Sequence, residues 1–299
     1  MSSIKTVAIA GASGSLGSVI LERLLASGNF NVRALRRHGS KATFPAGVEV
    51  VDVDFTSVDA LTAALKGQDA VIVATASEAV QEQYPLIDAA VAAGVKRIIP
   101  SEFGSDLENE KARKLPLLSG KAQVQGYIIE KAKTSGLTYT VVYNNAFLDW
   151  GLENGFLLQT ADYNPVLLDG GNLPFSTTTL STVADAVTAV LNKPNETRNR
   201  GVYIQDLVIT QNQLLALAKQ LAPEKPWQET HVKLEEALAS SLAQLAEGKV
   251  DMKILTPVLW TAIMGPGYGG KFEKTDNELL GLKGKTLEDV KEVMKKYVK

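Results

Sequence analysis

Residues 120–133, GKAQVQGYIIEKAK, contain two lysines and a tyrosine whose spacing could place a proton donor in an active site: Lys121, Tyr127 and Lys131. Tyr127 and Lys131 are four residues apart, and on a helix this spacing puts a phenol and an ammonium group on one face. Lys121 precedes Lys131 by ten residues and would lie about 15 Å away along the same helix, at ~1.5 Å per residue. Which lysine does chemistry therefore depends on which end of the helix faces the site.

The elements that position this helix alternate along the chain. Apolar, strand-like segments are predicted at 6–12, 31–37, 48–55, 70–76, 97–103 and 138–144. Helices are predicted between them, at 15–27, 57–66, 80–93 and 119–135. Strands that are apolar on both faces and joined by helices indicate an α/β fold with a Rossmann-type, doubly wound parallel sheet. Ligands of such sheets lie beyond the carboxyl ends of the strands, so the start of the 119–135 helix, with Lys121, should face the site.

The pattern loosens after about residue 150, where prolines and glycines interrupt it and one more strand is predicted at 201–205. We predict a dinucleotide-binding domain over 1–150. A smaller C-terminal α/β substrate lobe is predicted over 151–299, with segments around 176–205 returning to the large sheet. Four leucines with helical spacing indicate core packing: Leu234, Leu238, Leu242 and Leu245.

Composition excludes several classes of function. The 299-residue chain is 45% apolar and 21% charged with a net charge of -2, which favours a globular protein that binds neither nucleic acid nor a membrane. The absence of cysteine excludes disulfides and thiolate catalysis, and the two histidines, His38 and His231, lack ligand spacing, so no metal is predicted. With no signal-peptide pattern and no apolar run of ~18 residues, a cytoplasmic location is expected.

Residues 11–17, GASGSLG, form the strongest motif. Its glycines follow a predicted buried strand and open a helix, which is the context that a dinucleotide fingerprint requires. Gly11 permits a tight turn, Gly14 lets a pyrophosphate approach the backbone, and Gly17 allows close packing of helix and strand. The helix N-terminus supplies N–H groups and the positive end of a dipole. Cofactor contacts are therefore predicted along this turn, including Ser13, Ser15 and Leu16.

The end of the second strand indicates which dinucleotide binds. An NAD(H) enzyme usually places Asp or Glu on the ribose 2′-hydroxyl about 20 residues after the glycines. This chain has Arg36 and Arg37 there, and guanidinium groups can hold a 2′-phosphate by forked hydrogen bonds, so NADP(H) is favoured over NAD(H). Solvated surface arginines are the alternative. Asp54 and Phe55 are predicted to flank the adenine, although Asp54 could instead cap the next helix.

Further candidates follow the ends of the later strands. Cofactor contacts are predicted at Thr75, Ala76, Ser101, Phe103 and Asn144. Substrate contacts are predicted at Glu102, Asn145, Phe147, Trp150 and Tyr268. Core packing would explain Phe147 and Trp150 equally well, Glu102 could instead cap the following loop, and Tyr268 lies in a glycine-rich stretch that a simple connection also explains.

Together these motifs resemble one family. The chain resembles the NmrA-like, isoflavone-reductase-like group of atypical short-chain dehydrogenases/reductases. The segments that carry this resemblance are the glycine fingerprint, the dibasic end of strand two, VDVDFT, PSEFG (100–104), Lys121, LTYTVV (137–142), STVADAV (181–187) and TDNELLGLKGKTLEDV (275–290). The resemblance covers nearly the whole chain. It implies a Rossmann domain with a substrate lobe, NADPH binding and, often, reduction of aromatic secondary metabolites.

The resemblance also implies that Lys121 is the catalytic lysine, which agrees with its position at the start of its helix. Tyr127 and Lys131 then match the Y-x-x-x-K spacing of ordinary short-chain reductases without performing its chemistry. Four residues before Lys121 stands Leu117, so the proton-donating tyrosine of those enzymes is missing. Lys121 would hold the nicotinamide ribose and donate or relay a proton, directly or through water, unless it only binds the cofactor.

Three functions remain open. The favoured one is an NADPH-dependent reductase of a small aromatic or secondary-metabolite substrate. The second is a redox sensor that binds NADP(H) and a protein partner, which Lys121 and PSEFG disfavour because sensors in this group need no such lysine. The third is a non-redox tailoring enzyme that isomerises or rearranges its substrate with Lys121 as acid or base, an idea that the missing tyrosine supports.

Overall fold

The computed structural model describes residues 3–298. Its strands are β1 (Thr6–Ala10), β2 (Asn31–Arg37), β3 (Glu49–Val53), β4 (Ala70–Val73), β5 (Arg97–Ile99), β6 (Thr138–Tyr143), β7 (Ala146–Phe147), β8 (Val166–Leu168), β9 (Phe175–Thr178), β10 (Arg200–Tyr203), β11 (Leu207–Ile209) and β12 (Thr230–Val232). Its helices are α1 (Ser15–Ser27), α2 (Val58–Leu65), α3 (Gln83–Ala92), α4 (Glu110–Arg113), α5 (Pro116–Thr134), α6 (Leu148–Glu153), α7 (Leu180–Asn192), α8 (Gln211–Leu221), α9 (Leu234–Ala246), α10 (Met252–Met264), α11 (Asn277–Leu280) and α12 (Leu287–Met294).

Within residues 3–298, a seven-stranded sheet in the order β10-β6-β5-β4-β1-β2-β3 organises the fold. All its neighbouring strands are parallel. Apolar side chains of α1 and α7 cover one face, and those of α2, α3 and α5 cover the other. Burial on both faces explains why β4 is apolar at every position. The predicted doubly wound parallel sheet is confirmed.

Several elements differ from their predicted bounds. The strand predicted over 97–103 ends at Ile99 because Pro100 has no N–H to donate to the ladder, and Phe103 then turns the chain with a φ of 38°. The helix predicted over 80–93 is divided into a 3-10 segment, Ser77–Glu82, and α3. The helix predicted over 119–135 starts earlier, at Pro116, a residue suited to the first helical turn.

The C-terminal half contains smaller sheets. Strand β9 pairs with β7 and, antiparallel, with β11, while β12 pairs with β8. Of the stretch around 176–205, β10 lies beside β6 in the large sheet and α7 packs on α1. Strand β9, in contrast, belongs to the small sheet. A separate apolar core forms between α6, α8, α10 and α12.

The leucine stripe of α9 packs largely as predicted. Leu234 is buried, and Leu238 and Leu245 pack against an apolar cluster, but Leu242 is 36% exposed at the edge of the stripe. Within residues 3–298, no helix has both the length and the apolar character needed to cross a bilayer.

Arg97 links the strands on one side of the large sheet. Its side chain is fully buried in β5, and Nε donates to Thr138 Oγ1 at 2.9 Å. Nη1 donates to Thr140 Oγ1 at 2.6 Å and to Thr197 Oγ1 at 3.1 Å. Burial lowers the pKa of Arg97 to about 10, and the side chain remains a cation at neutral pH. These bonds join β5 to β6 and to the turn before β10.

Candidate active site

The glycine turn after β1 has the close contacts that its sequence predicts. Gly11 has a φ of 82°, and a Cβ there would lie 2.3 Å from the carbonyl oxygen of Ala74. A Cβ on Gly17 would lie 2.0 Å from the oxygen of Gly11, so only glycine lets α1 pack this closely. Gly14 has no such close neighbour and begins α1 without a side-chain cap.

The turn leaves its tip accessible. Ser13, Gly14 and Ser15 are exposed, whereas Leu16 packs partly against the core under α1. The first turn of α1 therefore presents backbone N–H groups at the carboxyl edge of the sheet, as a phosphate-binding helix terminus requires.

The two arginines at the end of β2 already have anionic partners. Arg36 forms a forked pair with Asp52 of β3, with Nε to Oδ1 at 2.6 Å and Nη2 to Oδ2 at 2.9 Å, and this hydrogen bonding lowers the pKa of Asp52. Arg37 donates from Nη2 to both carboxylate oxygens of Glu82 at 2.8 Å. Arg37 is the more accessible of the two, since its side chain is 59% exposed against 28% for Arg36.

Asp54 and Phe55 have different roles beside these arginines. Phe55 is buried, and the guanidinium of Arg37 lies 5.6 Å from the centre of its ring. Asp54 Oδ1 accepts from the N–H and hydroxyl of Thr56, which lowers the pKa of the Asp54 carboxyl. Ser57, not Asp54, caps α2 by accepting from the N–H of Ala60.

Buried polar atoms converge where β4, β5 and β6 end. Four of the buried side-chain atoms that have no hydrogen-bond partner among the described residues are Thr75 Oγ1, Glu102 Oε1, Asn144 Oδ1 and Asn145 Oδ1. All four follow the carboxyl ends of neighbouring strands. A buried polar group without a partner costs about 1 to 3 kcal/mol, so such a cluster indicates a place where a polar ligand completes the hydrogen bonding.

The surroundings of this cluster are held firmly. Ser101 donates from Oγ to the oxygen of Thr75 at 2.7 Å, and its N–H donates to Gln83 Oε1 at 2.9 Å. Gln83 is a buried residue of α3 that sequence reasoning missed. Phe103, which follows Glu102 in the sequence, is buried. Ala76, which follows Thr75, is exposed.

Lys121 lies at this same edge, in the first half of α5. Its Nζ donates to the backbone oxygen of Glu102 at 2.6 Å and lies 3.9 Å from Glu102 Oε1. The Lys121 side chain is 17% exposed and that of Glu102 is 4% exposed. Burial raises the pKa of the Glu102 carboxyl to about 7, and the charge of Lys121 partly opposes this rise.

Tyr127 and Lys131 contact a different partner. The Tyr127 hydroxyl donates to Asp88 Oδ1 of α3 at 2.7 Å, and Lys131 forms an ion pair with the same oxygen. Burial and the bond to Asp88 raise the pKa of Tyr127, which makes the phenol a poorer acid. The tyrosine and lysine that match the short-chain-reductase spacing therefore stabilise the packing of α5 on α3.

A fully buried tyrosine close to Glu102 was missed by sequence reasoning. Tyr143, the last residue of β6, accepts from Gln125 Nε2 at 2.7 Å and donates to Glu108 Oε1 at 3.3 Å. Burial, with Glu108 and Glu102 as further causes, raises the pKa of Tyr143, so it stays a neutral phenol. No signal distinguished it from other apolar strand residues, because its polar partners come from a loop and from α5.

The predicted substrate residues divide by their contacts. Asn145, with a φ of 51°, donates from Nδ2 toward the oxygens of Ser176, Ile263 and Gly270, so its amino group holds three backbone segments together. Phe147 is partly buried against the core below α1. This packing matches the alternative interpretation of Phe147 as a core residue, and its contact with a substrate stays a prediction.

Three aromatic rings pack together in the C-terminal lobe. Trp150 is 37% exposed, with its ring 6.2 Å from that of Phe156, which in turn lies 6.3 Å from Trp260. Tyr268 is partly buried, and Lys111 Nζ lies 5.8 Å from the centre of its ring. His38 and His231 are exposed, and residues 3–298 contain no group of three acidic, histidine or cysteine side chains that could hold a metal ion.

The parallel sheet and the glycine turn define a Rossmann-type protein, and its candidate site lies at the carboxyl edge of the sheet. The family model of the NmrA-like family matches residues 3–261, and the chain belongs to that family. Oxidoreductase aprR of Aspergillus flavus is 35% identical over 293 residues, which cover 95% of this chain and 96% of that protein. The resemblance deduced from the sequence motifs is thus confirmed.

Solved structures have the same fold. A crystal structure of isoflavone reductase superposes with a TM-score of 0.80 at 24% identity, covering 99% of this chain and 100% of the other. The binary complex of leucoanthocyanidin reductase and NADPH from Vitis vinifera superposes with a TM-score of 0.79 at 19% identity, covering 98% of this chain and 99% of the other.

Proposed function

We propose that the chain is an NADP(H)-dependent reductase of a small aromatic or secondary-metabolite substrate. The observation that carries this proposal is the cluster of unpartnered buried polar atoms at the ends of β4, β5 and β6, beside Lys121 and in line with the glycine turn. A dinucleotide laid along the carboxyl edge of the sheet would meet the arginines of β2, the glycine turn after β1 and this cluster in succession. The residues present therefore fit NADP(H).

Arg37 is the better candidate for the 2′-phosphate. Arg36 is tied to Asp52 by two hydrogen bonds on neighbouring strands, whereas Arg37 is more exposed and stacks on Phe55. A forked guanidinium over an aromatic ring is suited to a phosphate next to an adenine. The proposal thus assigns NADP(H) preference chiefly to Arg37.

When bound, NADPH supplies a hydride, and the chain has to supply the matching proton. Lys121 lies beside Glu102 of this cluster and is a side chain of suitable type. Its three N–H donors can bind a ribose hydroxyl and also protonate a substrate oxygen or carbon. The hydrogen bond to the Glu102 oxygen holds Nζ at this edge of the sheet, beside the Glu102 carboxyl. Asn144 Oδ1 and Thr75 Oγ1 remain as polar partners for the cofactor.

Trp150 is the member of the aromatic row that could contact an aromatic substrate, because it is 37% exposed, whereas Phe156 and Trp260 pack in the core of the lobe. Flat apolar ligands bind well against such rings, with a few polar groups to orient them. The names of the relatives, an isoflavone reductase and a leucoanthocyanidin reductase among them, are consistent with this substrate class.

A non-redox tailoring enzyme is the second candidate, because Leu117 occupies the position of the usual proton-donating tyrosine and Tyr127 is bound to Asp88. A lysine acting as acid or base in an isomerisation needs no such tyrosine. The cofactor would then be bound without being consumed.

The deciding experiment measures NADPH and NADH binding by fluorescence and NADPH oxidation by absorbance, with aromatic enones, isoflavonoids, lignans and quinones as substrates. Lys121→Ala should lower NADPH oxidation at least about 100-fold, the usual size of acid catalysis, while NADPH still binds. Lys131→Ala is the matched control on the same helix and should keep its activity. Tight NADPH binding with no oxidation by any substrate would reject the reductase in favour of the second candidate.

A further inference from the structure

Glu102 is the one acidic side chain that contacts Lys121 among the described residues, and it has an unusual setting. Its carboxyl is buried, one of its oxygens has no hydrogen-bond partner among the described residues, and the same oxygen lies 3.9 Å from Lys121 Nζ. A permanently ionised carboxylate would have to be better hydrogen-bonded to remain in such a place. The site is better suited to a carboxylic acid that gains and loses a proton.

The neighbouring groups fit such an exchange. The titratable groups that face the carboxyl within the described residues are Lys121 of α5, which favours the ionised form, and Tyr143 of β6, which is neutral and hydrogen-bonded to Gln125 and Glu108. Burial dominates and raises the pKa of Glu102 to about 7. Near neutral pH both forms of the acid are populated.

We propose that Glu102 is a positioning residue for Lys121 that also restores its proton during each turnover. This inference rests on the proposed function. In the reaction, the substrate takes a hydride and one proton, and the proton comes from the Lys121 ammonium group. The Lys121 amine then takes the proton of the Glu102 carboxyl as Nζ moves about 1 Å closer, to hydrogen-bonding distance. The product of this transfer is an ammonium and carboxylate pair, and the carboxylate is reprotonated from water after product release.

The direction of the transfer follows from the chemistry of the two groups. An amine is a stronger base than a carboxylate, even one whose pKa is raised to about 7. The new opposite charges also attract each other at short range in a mostly buried place. Glu102 therefore acts as a proton store beside a lysine that has no tyrosine partner.

The first test observes the carboxyl itself in the free protein. Infrared difference spectra between wild type and Glu102→Gln should contain the C=O band of a protonated carboxylic acid near pH 5. The band should disappear by about pH 9, with a midpoint near 7. Absence of the band near pH 5 would overturn the proposal.

The second test measures the coupling to Lys121. Trinitrobenzenesulfonate labels neutral amines, and labelling of the peptide that contains Lys121 can be followed by mass spectrometry. At about pH 8, Glu102→Gln should increase the labelling rate at least about fivefold, since even in water two unit charges at this separation attract by roughly that factor. Glu110→Gln, whose carboxyl is 85% exposed, is the matched control and should leave the rate unchanged. An unchanged rate in Glu102→Gln would reject the coupling.

A third test uses turnover. The dependence of kcat on pH should lose its step near 7 in Glu102→Gln, with the KM for NADPH changed less than about twofold, whereas Glu110→Gln should keep the step. A retained step in Glu102→Gln would contradict the proton store. The first two tests need no substrate, so failure to find a reducible substrate would count against the proposed function alone.

Discussion

The buried carboxyl of Glu102 should make the stability of the fold depend on pH in a way that one substitution removes. Its pKa rises from 4.5 to about 7 on folding. The folded protein therefore binds the proton more tightly than the unfolded chain, and stability falls as pH rises from the unfolded value toward the folded one. The effect is absent below pH 4.5 and complete above about pH 7.

The magnitude follows from the size of this shift. A difference of about 2.5 pH units corresponds to about 3 kcal/mol at high pH, at ~1.36 kcal/mol per unit. By the same linkage, about 1 kcal/mol of the loss is already present at pH 5, so about 2 kcal/mol develops between pH 5 and pH 8. Glu102→Gln cannot ionise, so its stability lacks this dependence on pH. Its free energy of unfolding relative to wild type should therefore increase by about 2 kcal/mol over that interval.

Urea unfolding of the cofactor-free protein, followed by tryptophan fluorescence and circular dichroism, measures the difference. Coincident transitions at each pH establish that two states are compared. Comparing pH values cancels any constant effect of the buried amide. Glu110→Gln, on an exposed carboxyl, should follow wild type. If wild type and Glu102→Gln depend on pH in parallel, the Glu102 carboxyl is already ionised at pH 5 and the reasoning from burial fails.

Three further substitutions test other contacts. Tyr127→Phe should keep the rate of NADPH oxidation within about twofold of wild type. It should lower the free energy of unfolding in urea by about 1 kcal/mol, because the hydrogen bond to Asp88 is lost. A large loss of activity would show that Tyr127 takes part in catalysis. Arg37→Ala should weaken NADPH binding about 10- to 100-fold in fluorescence titrations and NADH binding little, and equal weakening of both would remove Arg37 from the phosphate site. Gly17→Ala should destabilise the fold by about 3 kcal/mol, whereas Gly126→Ala, with open space around its Cβ, should be neutral or slightly stabilising in the same denaturation assay.

The large sheet could be predicted because each of its strands and helices has a recognisable pattern of apolar residues within a short stretch of sequence. Strands such as β1 and β4 are short, apolar on both faces and separated by amphipathic helices, a pattern that few folds share. The end of β5 could not be predicted, because the sequence after Ile99 still has the apolar character of a strand. Pro100 and Phe103, whose backbone has a positive φ, instead turn the chain there. Strand pairing in the lobe depends on contacts between distant segments, such as β12 with β8, which no local pattern reveals.

The site could be predicted only in part, for a similar reason. Lys121 follows from the direction of α5 at the carboxyl edge of the sheet. The buried setting of Glu102 could not be predicted, because its neighbours, such as Lys121 of α5 and Tyr143 of β6, come from distant parts of the chain. The partner of Arg36 lies directly opposite it on β3, but the partner of Arg37 comes from a 3-10 segment after β4. Charge partners across the fold are therefore the part that sequence reasoning lacked.

The pairing of Arg37 with Glu82 has a consequence for ligand binding. Glu82 takes both of its hydrogen bonds from Nη2, at 2.8 Å, and does not use the Nε and Nη1 groups of the same guanidinium. A phosphate bound through those groups would share the arginine with Glu82 instead of displacing it. The carboxylate then acts as a tether that holds the guanidinium over Phe55 before a ligand arrives. Because the arginine is already ordered, less side-chain freedom is lost when an anion binds.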